Sequence, residues 1–143
     1  LDKKQIALGC VKQKFNCAQS TFSAFAEEVG IDQGTALKVA SCFGGGMKCG
    51  EVCGAVTGVL MAIGMKYGSV TPDDYEKHQQ AYIKGIQFIK QFKQQHGSIL
   101  CKDLLGYDTS NPAEMAKVLE KGLHISVCAK AITDAIETAE DII

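Results

Sequence analysis

The chain contains no arginine; all 15 of its cations are lysine, set against 16 acids for a net charge of −1. No cluster of these lysines is interleaved with aromatics, so the electrostatic footprint of a nucleic-acid partner is missing. No apolar run reaches the roughly 20 residues needed to span a bilayer. The stretch Val52 to Met65, flanked by Glu51 and Lys66, reads instead as a buried helix. No segment of useful length alternates apolar and polar residues, which excludes a sheet as the organising element. No GK[ST] follows the glycines, and there are no paired carboxylates, Ser/His/Asp arrangement or dinucleotide fingerprint, so the familiar hydrolytic and nucleotide chemistries find no support. No charged-then-apolar leader opens the chain at Leu1, and the cysteine count is seven, an odd number. The expectation is a reducing, cytoplasmic compartment with free thiols rather than a disulfide-stapled fold. No linker, repeat or low-complexity tract divides residues 1–143, which are expected to form one domain with a sizeable core.

What is present is helix punctuation. Residues 2–14 carry Ile6, Cys10 and Val11 on one side and lysines on the other. Asn16, with Gln19 three residues on, predicts a capped helix running to Gly30. Asp32 caps a third helix ending near Cys42. Thr71-Pro72-Asp73-Asp74 predicts a long helix to Gln95, with Tyr75, Tyr82, Ile86, Ile89 and Phe92 as its apolar spine. Ser98 introduces a short helix to Leu105, and Asn111-Pro112 opens another that Gly122 stops. A final helix from His124 carries the inward stripe Ile125, Cys128, Ile132, Ala135, Ile136, Ala139 and Ile142. The predicted architecture is all-α, a single-domain irregular helical bundle around a buried central helix.

That central helix grows out of Phe43 to Gly58, FGGGMKCGEVCGAVTG. Gly44, Gly45 and Gly46 permit backbone angles and close approaches that side chains forbid. With a helix predicted from Gly50 to Lys66, Gly50, Gly54, Gly58 and Ala62 line one face with small groups. Cys49 and Cys53 would then share a surface one turn apart. Cys17, Cys53 and Cys101 each fall in the first turn of a predicted helix, where free N–H groups and the helix dipole favour a thiolate. A buried helix with inert thiols accounts for the same residues equally well. Convergence of the three helix starts is what would decide, and spacing does not reveal it.

The combination of Asn16-Cys17-Ala18-Gln19, Phe43-Gly44-Gly45-Gly46-Met47 and Cys53-Gly54-Ala55-Val56-Thr57-Gly58, with single cysteines at Cys101 and Cys128, resembles the C…CGAxxG…C…C family of redox-active proteins. The resemblance spans Cys17 to Cys128 and implies that these two, with Cys53 and Cys101, are the family's four cysteines. In related domains beside haem-attachment segments, an iron–sulfur centre is implied for the helical part; this chain has no CxxCH, so the resemblance does not extend to haem. Cys10, Cys42 and Cys49 lie outside the pattern. Cys10 and Cys42 read as packing thiols, whereas Cys49 is a candidate further ligand through its spacing from Cys53.

The expected function is therefore an iron–sulfur cluster held by Cys17, Cys53, Cys101 and Cys128, with Cys49 as a participant, passing electrons to a protein partner. Gly44, Gly45, Gly46 and Gly54 would let the backbone approach the cluster. Two alternatives stay open: thiol–disulfide exchange through Cys49 and Cys53, and four thiolates around zinc or another thiophilic ion. A protein whose cysteines bind nothing comes after these. No reaction on an organic substrate is indicated, no membrane is expected as a partner, and pairing through exposed helices suggests a homodimer. His124 sits four residues before Cys128, so a mixed Cys/His site is conceivable. His78 and His96 read as solvent-side, Glu51 as an acid suited to a helix start, and Met47, Met61 and Met65 as core filler.

Overall fold

The computed structural model describes residues 1–143 and is built from helices joined by turns and loops. In chain order the helices are α1 (Lys3–Lys12), α2 (Cys17–Ala24), α3 (Ala26–Val29), α4 (Gln33–Val39), α5 (Gly54–Tyr67), α6 (Tyr75–His96), α7 (Cys101–Leu105), α8 (Pro112–Glu120) and α9 (Leu123–Ile142). One wide turn, Gly46–Gly50, precedes α5, and a single antiparallel bridge joins Val52 to Leu100. The all-α expectation holds, and α5 is the buried axis, packed against α2, α6 and α9.

Local chemistry explains most helix starts. Asp2 and Asn16 each form a complete capping box, with Gln5 and Gln19 reaching back to the cap backbone. Asp32 accepts from the Thr35 amide, and Asn111 accepts from the amides of Ala113 and Glu114 with Pro112 in the first turn. The helix expected to run unbroken from Asn16 to Gly30 is split at Phe25, and Gly30, in the left-handed conformation, ends its second piece.

Several further expectations are corrected. Helix α6 starts at Tyr75 with Asp74 as cap, not at Pro72; the preceding residues form a turn, to which His78 Nε2 bonds through the Thr71 carbonyl at 2.9 Å. Its buried face is Gly85, Phe88 and Phe92, whereas Tyr82 and Ile86 of the predicted spine are 67% and 64% exposed. At Gly85 the helix comes close to Leu60 of α5, so α6 packs on the face that includes its smallest residue. His96 is not a solvent-side residue. Its ring stacks on Phe92 at 4.4 Å between centroids, and its Nε2 lies 3.2 Å from Asp134 of α9.

Another correction concerns the central helix. It begins at Gly54, with Cys53 as its cap residue, rather than at Gly50. Met47 and Lys48 both have positive φ (62° and 57°), which no helix sustains, so the chain reverses through this turn before α5 begins. Met47 stands exposed in this turn and Met65 near the end of α5, and only Met61 of the three methionines packs against the core. The small-residue face itself is real from Gly54 onward. A Cβ at Gly54 would lie 2.7 Å from the Ala18 nitrogen and 2.9 Å from Cys17 Cβ, and one at Gly58 would lie 2.9 Å from the Ala18 carbonyl oxygen. Bare backbone at these two positions lets α2 lie directly against α5.

Candidate thiol site

Close packing of α2 on α5 brings Cys17, the first residue of α2, beside Cys53, the cap of α5. A backbone clip adds Cys101. The Cys53 amide donates to the Ile99 carbonyl at 2.7 Å, and the Cys101 amide donates to the Glu51 carbonyl at 2.6 Å, on either side of the Val52–Leu100 bridge. Gly46 is what allows the turn to fold against this clip. With φ at 61°, a Cβ there would lie 2.5 Å from the Glu51 nitrogen and 2.8 Å from Cys101 Cβ. Cys128 comes from α9 and is the neighbour that raises the Cys17 thiol most. All four thiols line one cavity of about 620 Å³.

Cys49 is not among them. It lies exposed in the wide turn, on different backbone from the helix that Cys53 caps, so the one-turn relation inferred from its spacing does not exist. Cys42 is exposed as well, and Cys10 is buried at 3.3 Å from the Ser23 hydroxyl, as a packing thiol would be. Of the four glycines singled out, Gly45 and Gly54 line the cavity. Gly44 instead makes room for the Asn16 side chain, which a Cβ would meet at 2.3 Å. Gly45 is tied to the opposite wall, its carbonyl accepting from Thr109 Oγ1 at 2.6 Å.

Burial reverses the electrostatics expected of helix starts. Cys53 is 5% exposed and Cys101 6% exposed. Desolvation pushes both thiols up to about 12, with the neighbouring thiols adding to the effect. The amides of Ala55 and Val56 at the start of α5 do pull Cys53 down, as a helix start should, but burial outweighs them. Cys17 is raised well above its ordinary value, first by its hydrogen bond with Cys128 and then by burial. Lys48 is the cation that opposes these shifts at Cys17 and Cys101. Burial thus favours the protonated form of Cys17, Cys53 and Cys101, and an arriving positive charge would favour their thiolates.

In chemistry the donor set fits a thiophilic group: four sulfurs and a largely apolar wall. In geometry it does not enclose a single ion, because no three histidine, cysteine, aspartate or glutamate side chains stand close enough together to hold one. His124 also lines the cavity, and its Nδ1 is buried without a hydrogen-bond partner. Its position four residues before Cys128 was the only signal of this in the sequence. Lys14 and Lys48 were missed, since nothing in the order of residues marks a left-handed lysine. Glu51 sits on the exposed side of the clip, 3.8 Å from Lys102.

A family model described as "Putative redox-active protein (C_GCAxxG_C_C)" matches residues 15–142. Its label writes the middle motif as Gly-Cys-Ala-x-x-Gly, whereas Cys53 here precedes Gly54 and Ala55. No curated protein and no solved structure matches the chain.

Proposed function

The chain belongs to the C_GCAxxG_C_C family of redox-active proteins, and from that premise we propose that it binds an iron–sulfur cluster through Cys17, Cys53, Cys101 and Cys128 and serves in electron transfer. The observation that carries this reading is the gathering of four thiols, drawn from α2, α5, α7 and α9, onto a single cavity. A cluster of several irons spreads its cysteine ligands farther apart than a single tetrahedral zinc does. Four cysteine sulfurs suit either group, and membership of a redox-active family ranks iron–sulfur ahead of zinc, which has no redox chemistry of its own. When bound, the cluster would supply reversible one-electron chemistry.

The chain's own residues account for the rest. The Ala55 and Val56 amides at the start of α5 lower the Cys53 pKa and would favour negative charge on its sulfur. Lys48 would favour the thiolate at Cys17 and Cys101. Burial beside the apolar wall from α8 and α9 shields the Cys53 and Cys101 sulfurs. Anaerobic purification followed by iron, sulfide and zinc assays tests the proposal. Iron and acid-labile sulfide together with a visible absorption band are expected, and Cys53→Ser should lower all three. Stoichiometric zinc without colour would overturn it.

The contact between Cys17 and Cys128 favours a second reading, a dithiol that closes reversibly to a disulfide. Each thiol would lose one proton and one electron to an external disulfide, which is reduced to two thiols. Oxidised glutathione added to metal-free protein should then remove two hydrogens and link the peptides containing Cys17 and Cys128. Linkage through Cys49 instead would rule this pair out.

The partner in the first reading is another electron-transfer protein. The exposed row Tyr75, Tyr82, Ile83 and Ile86 on α6 supports a homodimer as well. Sedimentation equilibrium that returns a monomer at all concentrations would dispose of the homodimer. No helix is long and apolar enough to cross a membrane.

A further inference from the structure

The cavity offers more than sulfur. Its charged lining residues are Lys12, Lys14 and Lys48, and no aspartate or glutamate is among the 23 residues around it. This is a pronounced local bias in a chain whose net charge is −1. None of the three lysines takes part in an ion pair, although Lys3, Lys4, Lys66, Lys102 and Lys130 all do. Lys14 and Lys48 have φ of 72° and 57°, a conformation that costs a side-chain-bearing residue free energy. The acid that acts on Cys101, Asp108, lies off the wall and is already engaged by the Ser110 amide and hydroxyl at 2.9 and 2.6 Å.

The rest of the lining is mainly apolar and comes largely from α7, α8 and α9, with Leu104, Val118 and Ile132 among its members. The three lysines are exposed while Cys53 and Cys101 are buried, so the cations stand at the outer edge and the thiols lie deeper. His124, also on the cavity lining, has a buried Nδ1 with no partner. A cavity of about 620 Å³ is of the size that takes a small organic molecule. Unpaired cations at its edge and an apolar wall behind them select for an anionic head on an apolar body.

We propose that this cavity is a binding site for a small amphipathic carboxylate, its head between Lys14 and Lys48 and its apolar body along the α8–α9 wall. The proposal does not rest on the iron–sulfur reading, because the wall and the cations belong to the chain itself.

Titration calorimetry of the full chain with decanoate, decanol and decyltrimethylammonium tests it, with amide chemical-shift mapping to locate the ligand. Decanoate should bind with one-to-one stoichiometry below its micelle concentration and shift residues lining the cavity. Decanol should bind roughly tenfold more weakly and the cationic amphiphile weaker still. The double variant Lys14→Gln/Lys48→Gln should lose about the same factor for decanoate and leave decanol unchanged. Both lysines are exposed, so the double variant should keep the wild-type helical content and melting temperature. Equal affinity for decanoate and decanol, shifts outside the cavity, or no saturable binding would overturn the proposal.

Discussion

At the scale of single residues, the competition at Cys53 and Cys101 has a measurable outcome. In the unfolded chain these thiols ionise near 9.0, and in the folded chain near 12. The fold favours the protonated form, so this contribution to stability is fully present below about pH 9. It is lost progressively as the pH rises towards 12. A thiol shifted to this extent costs up to about 1.4 kcal/mol of stability per pH unit within that window. Urea midpoints of metal-free protein between pH 8 and 11 should therefore fall, and Cys53→Ala should flatten the slope. The same burial predicts which thiols react. At neutral pH, iodoacetamide should label Cys42 and Cys49 first and leave Cys53 and Cys101 until the protein unfolds, as peptide mass spectrometry would register. Sequence alone pointed the other way, because it marked the favourable amides at helix starts but not the depth at which those starts would be packed.

Among the helices, Asn16 carries two duties. Its Oδ1 accepts from the Gln19 amide at 2.8 Å, and its Nδ2 donates to the Ser41 carbonyl at 3.0 Å. Asn16→Ala should cost roughly 1–2 kcal/mol in chemical denaturation. Asn16→Asp should recover the cap but not the bond to Ser41. Gly54→Ala acts on packing instead. Its methyl group would force α2 and α5 apart at Cys17, for an expected loss of about 1–3 kcal/mol and a weaker hold on any group shared by Cys17 and Cys53. An unchanged melting temperature would contradict the packing described. Both devices were visible in the sequence, since Asn16-x-x-Gln19 and the Gly54/Gly58 spacing have local causes. The start of α5 was not. Its position depends on Met47 and Lys48 accepting a left-handed backbone, and neither residue advertises that conformation. The face of α6 was misjudged for a related reason. Its aromatic and aliphatic residues are spread around the helix, and contact with Leu60 chose the side bearing Gly85 over the side bearing Tyr82.

Across the whole molecule, four cysteines separated by up to 111 positions meet at one cavity because three different kinds of contact bring them there. Bare backbone at Gly54 and Gly58 seats α2, a two-bond clip joins the residues around 52 and 100, and the stripe of α9 from Ala131 to Ile142 anchors Cys128. The first and last have periodic signatures and were legible, apart from Ile125, which is 58% exposed. The clip has none, as it consists of two amides and two carbonyls that any residues would supply. These supports are unequal in stiffness. Cys53 and Cys101 ride on mutually bonded main chain, whereas Cys128 depends on how α9 lies at its less buried end. Deuterium should therefore enter the amides of residues 53 and 101 late and those of 124–128 early. If so, the sulfur cradle has one fixed jaw and one that swings, and cargo would enter past the swinging side.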